Sequence, residues 1–313
     1  MPYDTSFSPT PRPARRRRTL LAAAALGCVC LIAGCGGGSG GGAAAQPREG
    51  GGGTSSPPSL SPSPAKGNPS ARATSVPPSS SKSASRTVSG PLSGKTVVID
   101  PGHNPRNHEH TREIGRQVDI GTAHKECDTT GTSTDSGYAE AEFTLDVAHR
   151  LRALLQAQGA EVVLTYDNDR PYGPCVDERA RIGNRAGADA VVSVHADGSA
   201  VGNRGFHVIL PALVRGGAAD TSKIVEPSRE LGTRIAGLFV RATGSAPSNY
   251  VGGNTGLDTR KDLGGLNLST VPKVFIECGN MRDPKDAALL TSAGWRQKAA
   301  QGIADGISSY LRG

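Results

Sequence analysis

Three apolar runs of this sequence end in ionisable residues. Val97-Val98-Ile99-Asp100 leads through Pro101-Gly102 to His103, Ala190-Val191-Val192-Ser193-Val194 ends on His195, and Val274-Phe275-Ile276 ends on Glu277. Glu140 obeys a different spacing, one helical turn ahead of Phe143 and two ahead of Val147, so it falls in the first turn of a helix on the side that packs. A carboxylate facing a packed side needs a partner, and a metal cation is one. Two imidazoles and one carboxylate with an open fourth position form a set that holds catalytic zinc. Water on such an ion ionises near pH 7, against about 15.7 in bulk, so hydroxide is available at neutral pH. The same chemistry wants a carboxylate off the metal to take up and return a proton, and Glu277, inward-facing with Phe275, is the candidate. Taken singly, each residue is more simply a hydrogen-bonded structural group; together, His103, Glu140 and His195 as ligands and Glu277 as base form a hydrolytic site.

These residues meet only if their runs are strands of one open α/β sheet, whose carboxyl ends form the crevice where ligands bind. The apolar pattern predicts strands over 95–100, 161–166, 190–195, 205–211 and 273–278, and helices over 139–158, about 176–186 and 226–243, with a helical region over 286–311. Several strands are continuous apolar runs, as expected where both sheet faces are covered. Strands alternating with helices make the fold class α/β with a largely parallel sheet. The polar stretch between the first strand and the first helix reads as a long loop, which in a compact domain is usually functional.

The N-terminal part reads differently. Arg12 and Arg15 to Arg18 precede an apolar run from Leu20 to Ala33, the pattern of an export signal, and that run is short of the roughly 20 residues a membrane span needs. It closes on Leu31-Ile32-Ala33-Gly34-Cys35, which resembles the lipobox of bacterial lipoproteins and implies lipidation of Cys35. Ordinary cleavage after small residues is the alternative, and Sec and twin-arginine export both fit. Gly, Ser, Pro, Ala and Thr then dominate up to about residue 93, a composition that buries too little to fold and whose coil dimension is roughly 40 Å. The expected division is a signal peptide over 1–34, lipidated Cys35 and a disordered linker over 35–93, and a catalytic domain over 94–313. The chain carries +7 overall, but beyond residue 88 it holds 25 basic and 26 acidic residues. A near-neutral domain argues against a nucleic-acid partner. After processing, three cysteines remain. Cys127 and Cys175 lie in loop-like sequence and are expected to pair outside the cytoplasm, while Cys278, inside an apolar strand, is expected to stay a buried thiol.

Asp100-Pro101-Gly102-His103, Gly137-Tyr138-Ala139-Glu140, Ser193-Val194-His195-Ala196 and Val274-Phe275-Ile276-Glu277 resemble, in order, the motifs of zinc-dependent N-acetylmuramoyl-L-alanine amidases, the cell-wall family often called amidase type 3. Cys127-Asp128-Thr129-Thr130-Gly131 and Gly205-Phe206-His207-Val208 look like its actinobacterial branch. The resemblance implies a twisted, mostly parallel sheet of about six strands with helices on both faces. It also implies one Zn2+ on His103, Glu140 and His195, a catalytic Glu277, and a peptidoglycan or muropeptide substrate cut between N-acetylmuramic acid and the L-alanine of the stem peptide. Together with the lipobox it places the enzyme on the outer face of the cytoplasmic membrane, facing the wall. The sequence departs from the family at Asn104, where a glycine is usual, and at Asp197, where asparagine is frequent. Both, with Arg179, His207 and Asn267, are candidates for substrate contact or for support behind the ligands; for Arg179 a buried ion pair is the alternative to substrate contact. His108, His110 and His124 are solvated loop histidines or a second metal site. A wall-binding or hydrolase-regulating module without turnover, and a zinc carboxypeptidase or deacetylase, stay open as rivals.

Overall fold

The computed structural model describes residues 89–313. The expected signal peptide, Cys35 and nearly all of the linker lie outside the described residues. In chain order the strands are β1 (Thr96–Pro101), β2 (Gln117–Asp119), β3 (His124–Glu126), β4 (Glu161–Leu164), β5 (Ala190–Asp197), β6 (His207–Pro211), β7 (Arg215–Gly216), β8 (Ala219–Asp220), β9 (Leu257–Arg260) and β10 (Lys273–Asn280). The helices are α1 (Thr111–Ile114), α2 (Glu140–Gln156), α3 (Val176–Arg185), α4 (Val225–Thr243), α5 (Gly264–Asn267), α6 (Pro284–Leu290) and α7 (Ala293–Leu311).

Six strands form the main sheet in the order β4-β1-β5-β10-β6-β9. All neighbours run parallel except β10 and β6, which are antiparallel. The fold is therefore α/β and mostly parallel, as expected. Alternation along each strand divides the residues between the two faces. Val97, Ile99, Val192, Val194, Val274 and Ile276 pack with Phe143, Val147 and Leu151 of α2, Leu231, Ile235 and Phe239 of α4, and Ile303 and Ile307 of α7 in one buried core. Each large apolar side chain fully buried there contributes about 1.5–3 kcal/mol. The opposite face begins as a smaller cluster of Val98 and Val191 against Ile182 of α3. Two and four residues further along the same strands it turns polar, with Asp100, Ser193 and His195.

Several boundaries differ from expectation for identifiable reasons. Leu92 is fully buried in the main core and its N–H donates to Gln158 O at 2.9 Å, so packing begins slightly ahead of residue 94. The C-terminal helical region splits in two because Ser292 caps α7 through Trp295 N–H, while Asp283 caps α6 ahead of Pro284. The long loop contains the β2–β3 hairpin and α1, each only three or four residues long. Among the described residues no helix is long and apolar enough to cross a membrane.

Candidate active site

The turn after β1 aims His103. Its φ of 60° is left-handed, a conformation uncommon for residues other than glycine, and Arg179 Nη2 holds it by donating to His103 O at 2.9 Å. Gly102 has to be bare: a Cβ there would stand 2.3 Å from Cε1 of His195, so the second histidine packs against backbone. Gly131 meets the same demand, with a Cβ falling 2.8 Å from both Glu140 Oε2 and His103 Cδ2. Glu140 opens α2, and its oxygens accept from Ala196 N–H at 3.2 Å and Thr132 N–H at 3.0 Å.

These constraints bring the three residues together. Glu140 Oε2 lies 3.2 Å from His103 Nε2, and Glu140 Oε1 lies 3.0 Å from His195 Nδ1. One donor atom from each residue falls within 4.8 Å of the others, so the cluster could hold a metal ion. The remaining ring nitrogens point away from it. His103 Nδ1 is 3.1 Å from Thr129 O and 3.4 Å from Asp128 Oδ1, and His195 Nε2 is 3.4 Å from Ser193 Oγ. Two imidazoles held at their far nitrogens, plus a carboxylate, fit the donor chemistry of zinc. Phe275 stacks on His195 with ring centroids 5.2 Å apart. No other such cluster occurs among the described residues; His108, His110 and His124 do not converge.

The charges are strongly coupled. Burial would lower the pKa of His103, but Glu140 and Asp128 outweigh it and hold the imidazole well above its usual value. Burial would raise Glu140, yet His103 and His195 hold it below the ordinary carboxylate range. Glu277 pairs in register with His195 on β5 and with His207 on β6. Its Oε2 is buried without a hydrogen-bond partner. Burial, then Glu140 and Asp197, push its carboxyl well above the usual value of 4.5. A group with a raised folded-state pKa stabilises fully below the unfolded value, and that contribution is lost as pH rises through the folded one. In metal-free protein at neutral pH, Glu277 therefore either keeps its proton or ionises at a cost to stability that is absent near pH 4. Glu277→Gln is expected to raise the melting temperature of chelated protein at neutral pH and to change it little near pH 4; equal shifts at both pH values, by differential scanning calorimetry, would count against this.

The other candidates divide. Arg179 is buried in an ion-pair network with Asp100 at 2.8 Å and Asp128 at 3.0 Å, at the wall of the cavity beside the cluster. Asn104 is also buried: its Nδ2 donates to Gly173 O at 3.1 Å and its Oδ1 accepts from Arg106 N–H at 3.0 Å, tying the turn to a neighbouring loop. Asn267 is buried with Nδ2 donating to Lys261 O at 3.0 Å. Asp197 accepts from Tyr250 Oη at 2.6 Å and Gly198 N–H at 2.7 Å. His207 is buried edge-on to Tyr250, its Nδ1 unpartnered. Asp128 and Ser193 stood in the sequence only as members of the motifs that carry the resemblance, without a role, and Tyr250 was not singled out. Cys127 and Cys175 form the expected disulfide, and Cys278 is free and buried. A cavity of about 410 Å³ adjoins the cluster between Phe275, Val176, Leu263 and Gly264, and Lys125 meets Asp262 at 3.2 Å on its rim.

A family model described as N-acetylmuramoyl-L-alanine amidase matches residues 97–309. The chain is 41% identical over 226 residues to an N-acetylmuramoyl-L-alanine amidase of Mycobacterium tuberculosis, covering 70% of this chain and 88% of that protein. It resembles the crystal structure of the N-acetylmuramyl-L-alanine amidase Ami1 from Mycobacterium smegmatis with a TM-score of 0.64 at 41% identity, over 70% of this chain and 98% of that one. Ami1 from Mycobacterium abscessus, in its apo form, matches with a TM-score of 0.64 at 39% identity, over 70% of this chain and all of the other.

Proposed function

Because this chain belongs to the N-acetylmuramoyl-L-alanine amidase family, we propose that His103, Glu140 and His195 hold one zinc ion and that Glu277 moves the proton during hydrolysis. The protein is a peptidoglycan hydrolase of this family, and the bond cut joins N-acetylmuramic acid to the L-alanine of a stem peptide. Support for the site comes from one observation above all: three donors from separate elements lie within 4.8 Å of one another, with Glu277 on the adjacent strand in register with His195.

When bound, zinc supplies a Lewis acid for the amide carbonyl and lowers the pKa of its water to about 7. Glu277 takes a proton from the attacking water and delivers it to the alanine nitrogen as the C–N bond breaks. The hydroxyl stays on the lactyl carbon, leaving a carboxyl group on the sugar and a free amine on the peptide. The high proton affinity of Glu277 suits a group that must hold a proton between two transfers. The apolar cavity beside Phe275 seats a flank of the substrate. Residues 1–34 are read as a signal peptide, Cys35 as lipidated and 35–93 as a tether, so that the domain works on the wall from the outer face of the cytoplasmic membrane.

Mass spectrometry of products from muropeptides and from intact peptidoglycan, with and without chelator, tests this assignment. Free stem peptide beginning at L-alanine, lost on chelation and restored by zinc, is the expected result. Cleavage at another bond, or material bound and uncut, would refute it.

A further inference from the structure

Behind the cluster lies a set of buried charges that proton transfer does not use. All five N–H donors of Arg179 are engaged. Nε donates to Pro174 O at 2.8 Å, Nη1 to Asp100 Oδ1 at 2.8 Å and Pro101 O at 2.5 Å, and Nη2 to His103 O at 2.9 Å and Asp128 Oδ2 at 3.0 Å. Two arms leave this guanidinium. Along one, the other oxygen of Asp128 lies 3.4 Å from His103 Nδ1, a nitrogen that also meets Thr129 O at 3.1 Å and Thr129 Oγ1 at 3.2 Å, so Asp128 adds its charge to a hydrogen bond held by the neighbouring residue. Along the other, Ser193 Oγ donates to Asp100 Oδ2 at 2.7 Å and stands 3.4 Å from His195 Nε2. Lys273 Nζ, donating to Asp100 Oδ2 at 3.1 Å, balances the second carboxylate.

We propose that Arg179, Asp100 and Asp128 form one frame that orients both metal-facing histidines, which makes Asp128 and Ser193 positioning residues of the site. The inference rests on the zinc assignment above. Its physical basis is that an imidazole ligating through one nitrogen needs its other nitrogen held, to fix tautomer and ring rotation; loss of such a partner typically weakens metal binding about 10- to 100-fold. Buried ion pairs are weak sources of stability, so four buried charges behind the ligands are better explained by the geometry they enforce. Arg179 also grips the carbonyls of Pro101 and His103, which keeps His103 in its left-handed conformation. Lysine has no planar fork with which to make these contacts.

The test uses the purified full chain with Zn2+ and Co2+ alone as probes. Asp128→Asn keeps the size of the side chain and an acceptor for Arg179, and Ser193→Ala removes one hydroxyl. Both are expected to weaken zinc binding about 10- to 100-fold in chelator competition and to shift the visible absorption of bound Co2+, while near-ultraviolet circular dichroism stays parental. Parental zinc affinity and cobalt spectra in both variants would overturn the inference while leaving the zinc site intact. A parent that binds neither metal would overturn the zinc assignment and this inference with it. Should Asp128→Asn fail to fold, Ser193→Ala decides alone.

Discussion

Glu277→Gln is expected to lower kcat by about 10²- to 10⁴-fold, the range in which positioned general acid–base groups contribute, with zinc bound at its parental stoichiometry. The reason lies in what the substitution preserves. Glutamine has the shape of glutamate and faces His195 from the same place on β10, but it can neither take a proton from water nor return one to a leaving amine. None of the three proposed metal donors is touched, since the nearest donor atoms belong to His103, Glu140 and His195. The KM is expected to change little, because the loss falls on a step made only in the transition state. Steady-state release of stem peptide, set beside zinc content by atomic emission, reads both halves of the expectation. A kcat within a few-fold of the parent would remove Glu277 from the mechanism, and zinc lost together with activity would make it a ligand instead.

His195→Ala is expected to give the complementary result, loss of metal and turnover together. The ring is one of the three proposed donors, so the fall in zinc affinity is expected to exceed the roughly 10- to 100-fold typical of an outer partner. The vacancy also strips Glu140 Oε1 of its 3.0 Å contact and Phe275 of its stacking neighbour, so the site does not re-form around a substitute. Added zinc is expected to restore little activity. Full turnover in His195→Ala without bound metal would overturn the zinc mechanism, and the contrast with Glu277→Gln separates holding the ion from moving the proton.

The ends of β1, β5 and β10 were legible from the sequence because strands with both faces covered leave long apolar runs, and a charged residue closing such a run stands out against them. Glu140 was legible through helical spacing. The disulfide followed from compartment and loop context. What escaped the sequence was anything set by contact between distant polar loops. Asp128 belongs to a recognisable loop motif, but its role is not legible until the fold lays it against His103 and Arg179. Tyr250 reaches Asp197 from a loop whose polar composition carries no period. Strand β9 was missed because it is a sheet-edge strand with its residues half exposed or exposed, so it lacks the apolar signature of its neighbours. Asn104, read from the sequence as a substrate contact or as support behind the ligands, has its buried side chain held by backbone partners, which the sequence alone could not decide.

The position of β10 has a bearing on when the protein can act. It is the last strand in the chain, yet it lies between β5 and β6. A polypeptide emerging from its N-terminus has His103, Glu140 and His195 early, but β6 and β9 cannot join β4, β1 and β5 until β10 arrives to bridge them, and non-local pairings of this kind form late. Glu277, the proposed acid–base group, lies on that same bridging strand. A chain that stops short of β10 thus carries the proposed zinc donors without the carboxylate proposed to move the proton.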